Sequence, residues 1–291
     1  MPDDAAPVAP IALVTGASRG AGKGIAVALG RQGCTVYVTG RSTDAAESAM
    51  PGTIFETASA VTEAGGTGIA VRCDHNVDSD VAALFDRIAY DHGRLDILVN
   101  NACAIHDQLD APGHFWEKPL AIGDMITVGV RSGFVASWFA AQLMVKQRRG
   151  LIAFTSSPGA VHYCFGPAYG AHKAGVDKMA ADMAVDLEGT GVAAVSIWMG
   201  ALATERLLAM IAADPARYGH LSQSLEDPGY TGDVIWALFN DPRMSDLSGQ
   251  TLIGAEAGKR WGIRDARGGF PTSARDTHNV APHTQYPLVI R

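Results

Sequence analysis

Ile11-Ala12-Leu13-Val14-Thr15-Gly16-Ala17-Ser18-Arg19-Gly20-Ala21-Gly22 is the stretch on which the fold turns. A short apolar run gives way to a glycine cluster, and a helical pattern carrying Ile25, Ala26, Leu29 and Gly30 follows. Strand, glycine loop and helix in this order point backbone N–H groups at a helix N-terminus, where the dipole favours negative charge. A pyrophosphate needs such a place, and glycines let it approach the backbone. The bland alternative is a flexible loop in a chain with 33 glycines.

Outward from this stretch the pattern alternates. Short apolar runs rich in β-branched residues recur at 11–15, 35–39, 69–72, 95–100, 151–155 and 192–198, with longer helical patterns between them. Their near-continuous apolarity predicts strands covered on both faces. Val81, Leu84, Phe85 and Ile88 follow helical spacing behind Ser79 as the expected N-cap. The βαβα order predicts a doubly wound α/β fold with a parallel sheet and helices on both faces. A single domain is expected over 1–291, with its core at about 10–260. Residues 1–10 and 264–291 are rich in Pro, Gly and polar residues and are expected to wrap the surface or stay mobile.

Composition bounds the possibilities. For 291 residues, scaling rules remove about 73% of the unfolded chain's surface from water, so a sizeable core is available. With 47% apolar and 18% charged residues, the chain falls outside the disordered class. A net charge of −7 argues against nucleic acid and acidic membranes as partners, so any anion must be met locally. Cys34, Cys73, Cys103 and Cys164 are too widely spaced for a metal knuckle or a dense disulfide framework. His106, His114, His162 and His172 form no compact ligand spacing, and no metal is assigned. The acidic N-terminus lacks signal-peptide order, and no run approaches the ~18 apolar residues of a membrane span. The expectation is a soluble, cytoplasmic protein.

Further motifs complete a resemblance. The Gly16, Gly20 and Gly22 cluster, Asn100-Asn101-Ala102, a strand ending in Ser156, and Tyr169 with Lys173 in a YxxxK spacing make the chain similar to the short-chain dehydrogenases/reductases over about 10–260. The resemblance implies a Rossmann-type fold and a nicotinamide cofactor contacted by Gly16, Ser18, Arg19, Gly20, Gly22, Asp74, Asn101, Ala102, Lys173, Gly200 and Thr204. It also implies a catalytic set of Ser156, Tyr169 and Lys173.

Two of these assignments have an independent physical basis. The second strand ends in Thr39-Gly40-Arg41-Ser42, without the acid that would accept ribose hydroxyls. Arg41 and Arg19 can pair with a 2′-phosphate, so NADP(H) is preferred over NAD(H), the alternative being that both arginines are solvated surface residues. Tyr169 and Lys173, at i and i+4, share one helix face. An ammonium near a phenol favours the phenolate, which makes the pair an acid/base catalyst for a carbonyl or secondary alcohol.

Three departures from the family pattern stand out. Thr127 falls where the family's relay asparagine is expected, Cys103 replaces a glycine after Ala102, and Met199-Gly200 replaces Pro-Gly. Cys103 reads as a small buried hydrophobe, and His172 is expected to face away from the catalytic side. The loop His162-Tyr163-Cys164-Phe165 and the apolar segment 201–211 suggest a lipophilic small-molecule substrate, although those leucines could equally pack a lid onto the core. Helices over 121–149 and 168–188 carry apolar residues on several faces, as a homodimer or homotetramer would need. The rival to an enzyme is an NADP(H)-binding scaffold or sensor with little turnover.

Overall fold

The computed structural model describes residues 8–44 and 50–291. Most of the 1–10 expectation therefore lies outside the described residues.

Seven strands form one parallel sheet in the order β3-β2-β1-β4-β5-β6-β7. They are β1 (Ile11–Val14), β2 (Thr35–Gly40), β3 (Thr67–Arg72), β4 (Ile97–Asn100), β5 (Gly150–Ser156), β6 (Val192–Trp198) and β7 (Thr251–Ile253). Successive residues of β1 enter opposite cores. Ala12 and Val14 pack with Ile25 and Leu29 of α1 (Gly20–Arg31) and Val234, Ile235 and Leu238 of α8 (Tyr230–Asn240). Ile11 and Leu13 join Leu84 and Ile88 of α3 (Asp78–His92), Ala140 of α4 (Ser132–Gln147) and Val176 of α5 (Pro167–Asp186). With both faces covered, each fully buried Leu or Ile contributes about 1.5–3 kcal/mol, and the strands read as unbroken apolar runs.

The remaining helices are α2 (Ile54–Glu63), α6 (Glu205–Ala213), α7 (Pro215–Tyr218), α9 (Gly254–Arg260) and α10 (Ala274–His278). The chain crosses from β1 to β2 on one side and is flanked by β4 on the other, so a crevice opens at the C-terminal ends of β1 and β4.

Several local readings are corrected. The N-cap of α3 is Val77, without a side-chain cap, and Ser79 lies inside the first turn, where Asp78 and Asp80 complement the dipole. β7, a three-residue edge strand, has too short an apolar run to signal itself. The expected helix over 121–149 is interrupted by a π-helical stretch, Ile126–Arg131. Leu120–Gln147 is, among the described residues, a helical run long and apolar enough by length and composition to cross a membrane. Here its Gly133, Ala136, Ala140 and Met144 are buried. In the C-terminal extension, Ser273 and Arg275 of the α10 region bind Glu256 at 2.6 and 3.0 Å, and His283 and Gln285 lie over α5 beside Lys178.

Candidate active site

The crevice is built around the glycine loop. Gly16 has φ +63°, and a Cβ there would fall 2.7 Å from the Ala102 Cα, so the left-handed backbone and the close approach of the β4 exit both require glycine. Thr15 Oγ1 accepts the N–H groups of Asn101 and Ala102 at 2.9 and 3.0 Å. Asn101 Nδ2 donates in return to the carbonyl oxygens of Thr15 and Gly16 at 2.9 and 3.1 Å. Gly22 packs under that amide; a Cβ would fall 2.5 Å from Asn101 Nδ2. Ser18 is buried, and its carbonyl accepts from Thr57 Oγ1 at 3.4 Å.

Helix α1 offers its N-terminus to an anion. Its N-cap, Arg19, provides no side-chain capping bond. Instead Gly20 N–H donates to Glu205 Oε2 at 2.9 Å, so a carboxylate already sits where the dipole favours negative charge. Arg19 Nη2 donates to Ser42 Oγ and to the Gly52 carbonyl oxygen, both at 2.8 Å. The exposed Arg41 lies 4.0 Å from Asp74 Oδ2, an ion pair at the rim of the crevice. Asp74 Oδ1 also accepts from Asn76 N–H at 3.0 Å.

Two segments close the opposite side. Gly200 follows β6, and its N–H donates to the buried carboxyl group of Glu226. Burial raises that carboxyl to about 7, Asp227 and Asp265 add to the rise, and the Gly200 bond opposes it. Thr204 caps α6 through Oγ1, which accepts Leu207 N–H at 3.3 Å.

Tyr169 and Lys173 both lie on α5, and the serine beside Tyr169 is Ser157 rather than Ser156. Ser157 Oγ lies 2.8 Å from Tyr169 Oη. Ser156, the expected partner, is fully buried at the end of β5, and its hydroxyl faces the Lys173 carbonyl oxygen at 3.4 Å and the Asp177 carboxylate. Successive residues of an extended chain point to opposite sides, so only one of the two serines can reach Tyr169. Asp177 further accepts from Ser196 Oγ and from Trp198 Nε1, the latter at 2.8 Å.

Burial raises the Tyr169 phenol above its usual value, against the opposing effect of the Ser157 bond. Burial lowers the Lys173 ammonium, which donates to the Thr155 carbonyl oxygen at 3.2 Å and lies 5.7 Å from the Tyr169 ring centroid.

Thr127 lies in the π-helical stretch Ile126–Arg131. Among the described residues, no hydrogen bond joins the Thr127 side chain to Ser157, Tyr169 or Lys173. Two π-helical residues meet the YxxxK helix: Val130 lies against Gly175, and a Cβ at Gly129 would fall 2.5 Å from His172 Nε2. His172 therefore does not face away: it is 3% exposed, with Nδ1 3.6 Å from Cys103 Sγ. Burial, helped by Lys173, lowers its imidazole to about 2. Burial raises the thiol of the half-buried Cys103 despite Lys173.

Beside Tyr169 lies an apolar wall of Leu109, Ile122 and Met125. Phe165, at φ +58°, sets its ring edge-on to Tyr169 at 5.1 Å. Of the leucines in 201–211, Leu202 is buried, Leu207 half-buried and Leu208 exposed, so the segment both packs on the core and presents apolar surface.

Comparison with known proteins interprets this geometry. Residues 10–213 match the family model for short chain dehydrogenase. The chain is 39% identical to human dehydrogenase/reductase SDR family member 1 over 269 residues, covering 89% of this chain and 83% of that protein. The chain belongs to the short-chain dehydrogenase/reductase family.

The mouse counterpart is 38% identical over the same shares. A 3-oxoacyl-[acyl-carrier-protein] reductase of Synechocystis is 31% identical over 84% of this chain and 94% of that one. A solved structure from Xanthomonas campestris, assigned as a dehydrogenase, superposes with a TM-score of 0.73 at 26% identity, covering 87% and 89% of the two chains. Membership brings an oxidoreductase class, a small-molecule substrate and a nicotinamide cofactor, NAD or NADP. The glycine loop, the uncapped α1 terminus and the carboxylate on Gly20 fit such a phosphate-bearing group.

Sequence reasoning missed Ser157, Gly129, Glu205 and Glu226. Ser157 was visible as a second serine, but nothing in the spacing chose between the two. The other three carry no signal outside the folded chain.

Proposed function

We propose that the protein is an NADP(H)-dependent oxidoreductase that interconverts a lipophilic carbonyl and its secondary alcohol, with Tyr169 as general acid/base. The observation that carries this reading is the 2.8 Å contact between Ser157 and Tyr169 beside an apolar wall. When bound, the nicotinamide supplies or accepts the hydride. Ser157 Oγ holds the substrate oxygen, and Tyr169 gives it a proton from Oη. The raised phenol stays protonated near neutrality, the form needed for carbonyl reduction. The Lys173 ammonium favours the phenolate once the proton has left, and Thr155 fixes its position.

Arg41, just after β2, and Arg19, which reaches Ser42 from the glycine loop, support a 2′-phosphate, hence NADP(H) over NAD(H). Partly exposed Leu207, Leu208 and Met210 on α6 support a lipophilic substrate. Free cysteines support a reducing, cytoplasmic setting. Phe134 and Trp138, more than half exposed on α4, support a homodimer or homotetramer. The sensor reading rests on one observation: among the described residues no hydrogen bond joins Thr127 to Ser157, Tyr169 or Lys173.

Thermal-shift titration with NADPH and NADH, followed by a carbonyl panel on wild type and Tyr169→Phe, tests the proposal. At about 100 times Kd a bound nucleotide stabilises by about 2.7 kcal/mol. The expected result is a larger shift with NADPH, and turnover lost in Tyr169→Phe while the shift persists. No shift with either nucleotide overturns the reading, and nucleotide binding without Tyr169-dependent turnover favours the sensor.

A further inference from the structure

We propose that Glu205 sets cofactor affinity by competing with the cofactor's phosphate for Gly20 N–H; this rests on the dinucleotide reading above. The contact spans 185 positions of sequence and joins the lid helix α6 to the first residue of the twelve-residue α1. The N–H has one favourable direction of approach, and a phosphate brought to it meets a carboxylate of the same sign. The two cannot share the helix terminus. Glu205 also acts on the neighbouring Arg19: burial lowers that guanidinium, and the Glu205 charge opposes the fall. A phosphate that displaces Glu205 thus takes over both the N–H and the field of the arginine.

α6 is held less firmly than the core helices: none of its residues is fully buried, and Leu207, Met210 and Ile211 are only half-buried. Besides Glu205, it is tethered by Arg206 Nη1, which donates to Asp107 Oδ1 at 2.8 Å. The following α7 is tied through Arg217 Nη2 to the Asp110 carbonyl oxygen at 2.5 Å and through Tyr218 to the Asp110 carboxylate. Displacing Glu205 removes its hydrogen bond to the cofactor loop and leaves the ties to the 107–110 segment. Filling the phosphate site and freeing the start of α6 become one event, and apparent affinity falls by the fraction of molecules in which Glu205 holds the site.

Calorimetric titration of NADPH and of adenosine into wild type, Glu205→Gln, Glu205→Ala and Arg206→Ala tests this. Glu205→Gln and Glu205→Ala are expected to lower the NADPH Kd roughly three- to tenfold, the size of a charge effect at a helix terminus. Adenosine, which lacks phosphate, is expected to bind all four forms alike. Arg206→Ala removes the tether to Asp107 together with a positive charge that acts on Arg19, and is expected to lower the NADPH Kd less than either Glu205 variant. Unchanged or weaker NADPH binding in both Glu205 variants overturns the inference, as does an equal gain in Arg206→Ala. If wild type and every variant fail to bind NADPH or NADH, the dinucleotide reading itself falls.

Discussion

Ser157 Oγ sits 2.8 Å from Tyr169 Oη, while Ser156, one residue earlier, turns its hydroxyl to the Lys173 carbonyl oxygen and Asp177. One serine thus lies against the phenol and the other within the packing beneath it. Ser157→Ala is expected to lower kcat/KM for carbonyl reduction roughly 10²-fold, as loss of one donor to a developing oxyanion does. Ser156→Ala is expected to keep kcat within a few-fold and to cost about 1 kcal/mol of stability through a lost buried hydrogen bond. Steady-state kinetics and urea midpoints on both variants check this, and a larger turnover loss in Ser156→Ala would reverse the assignment.

The sheet was legible because a parallel strand buried on both faces must be apolar at every position, as Ile11–Val14 is. The glycine loop was legible because only glycine satisfies Gly16's backbone and its approach to Ala102. The rest depends on features that a spacing rule does not encode. Which serine meets Tyr169 depends on the pleat of β5 where it ends. Gly129 matters through the room it leaves for His172, and a missing side chain announces nothing. Glu205 and Glu226 act on backbone N–H groups far away in sequence, and any acid in a polar stretch looks the same.

Arg19 gives a prediction on cofactor choice. It is held by Ser42 and Gly52 at the end of β2, whereas the exposed Arg41 shares its charge with Asp74. Arg19→Ala is expected to raise the NADPH Kd roughly tenfold with a smaller effect on NADH, the loss of one charge-assisted contact. Arg41→Ala is expected to have the weaker effect, since an exposed pair is screened. Equal losses for NADPH and NADH would remove the case for a 2′-phosphate site.

Glu226 predicts a pH dependence. Its carboxyl, packed on Gly200 N–H with Asp227 and Asp265 nearby, is raised to about 7 from 4.5. The folded state thus holds a proton that the unfolded state releases. Its stabilising contribution is fully present below about 4.5 and is lost as pH rises through about 7. Glu226→Gln is expected to flatten this part of the stability curve, by at most about 3 kcal/mol for the full shift. The same substitution should slow hydrogen exchange of 200–204 at pH 8, because the amide oxygen still accepts from Gly200 without a buried charge. An unchanged slope between pH 4.5 and 7 in Glu226→Gln would show that other groups produce it.

Gly129 and His172 form a packing pair that a double-mutant cycle can isolate. A Cβ at Gly129 would fall 2.5, 2.6 and 2.7 Å from His172 Nε2, Cε1 and Cδ2, and the ring, 3% exposed, has no room to retreat. Gly129→Ala is expected to destabilise by about 1–3 kcal/mol through overpacking. Because the ring adjoins Lys173 in sequence and Cys103 in space, the same substitution is expected to lower kcat. Gly129→Ala with His172→Ala relieves the clash, so the double variant should be more stable than the sum of the single effects by about 1 kcal/mol or more. His172 adds a spectroscopic check. An imidazole lowered to about 2 stays neutral from pH 4 to 9, and its stabilising contribution is lost as pH falls below the unfolded value near 6.5. An NMR titration of the His172 ring should show no inflection in that range. Additive single effects, or a ring that titrates near 6.5, would mean that His172 does not pack on Gly129.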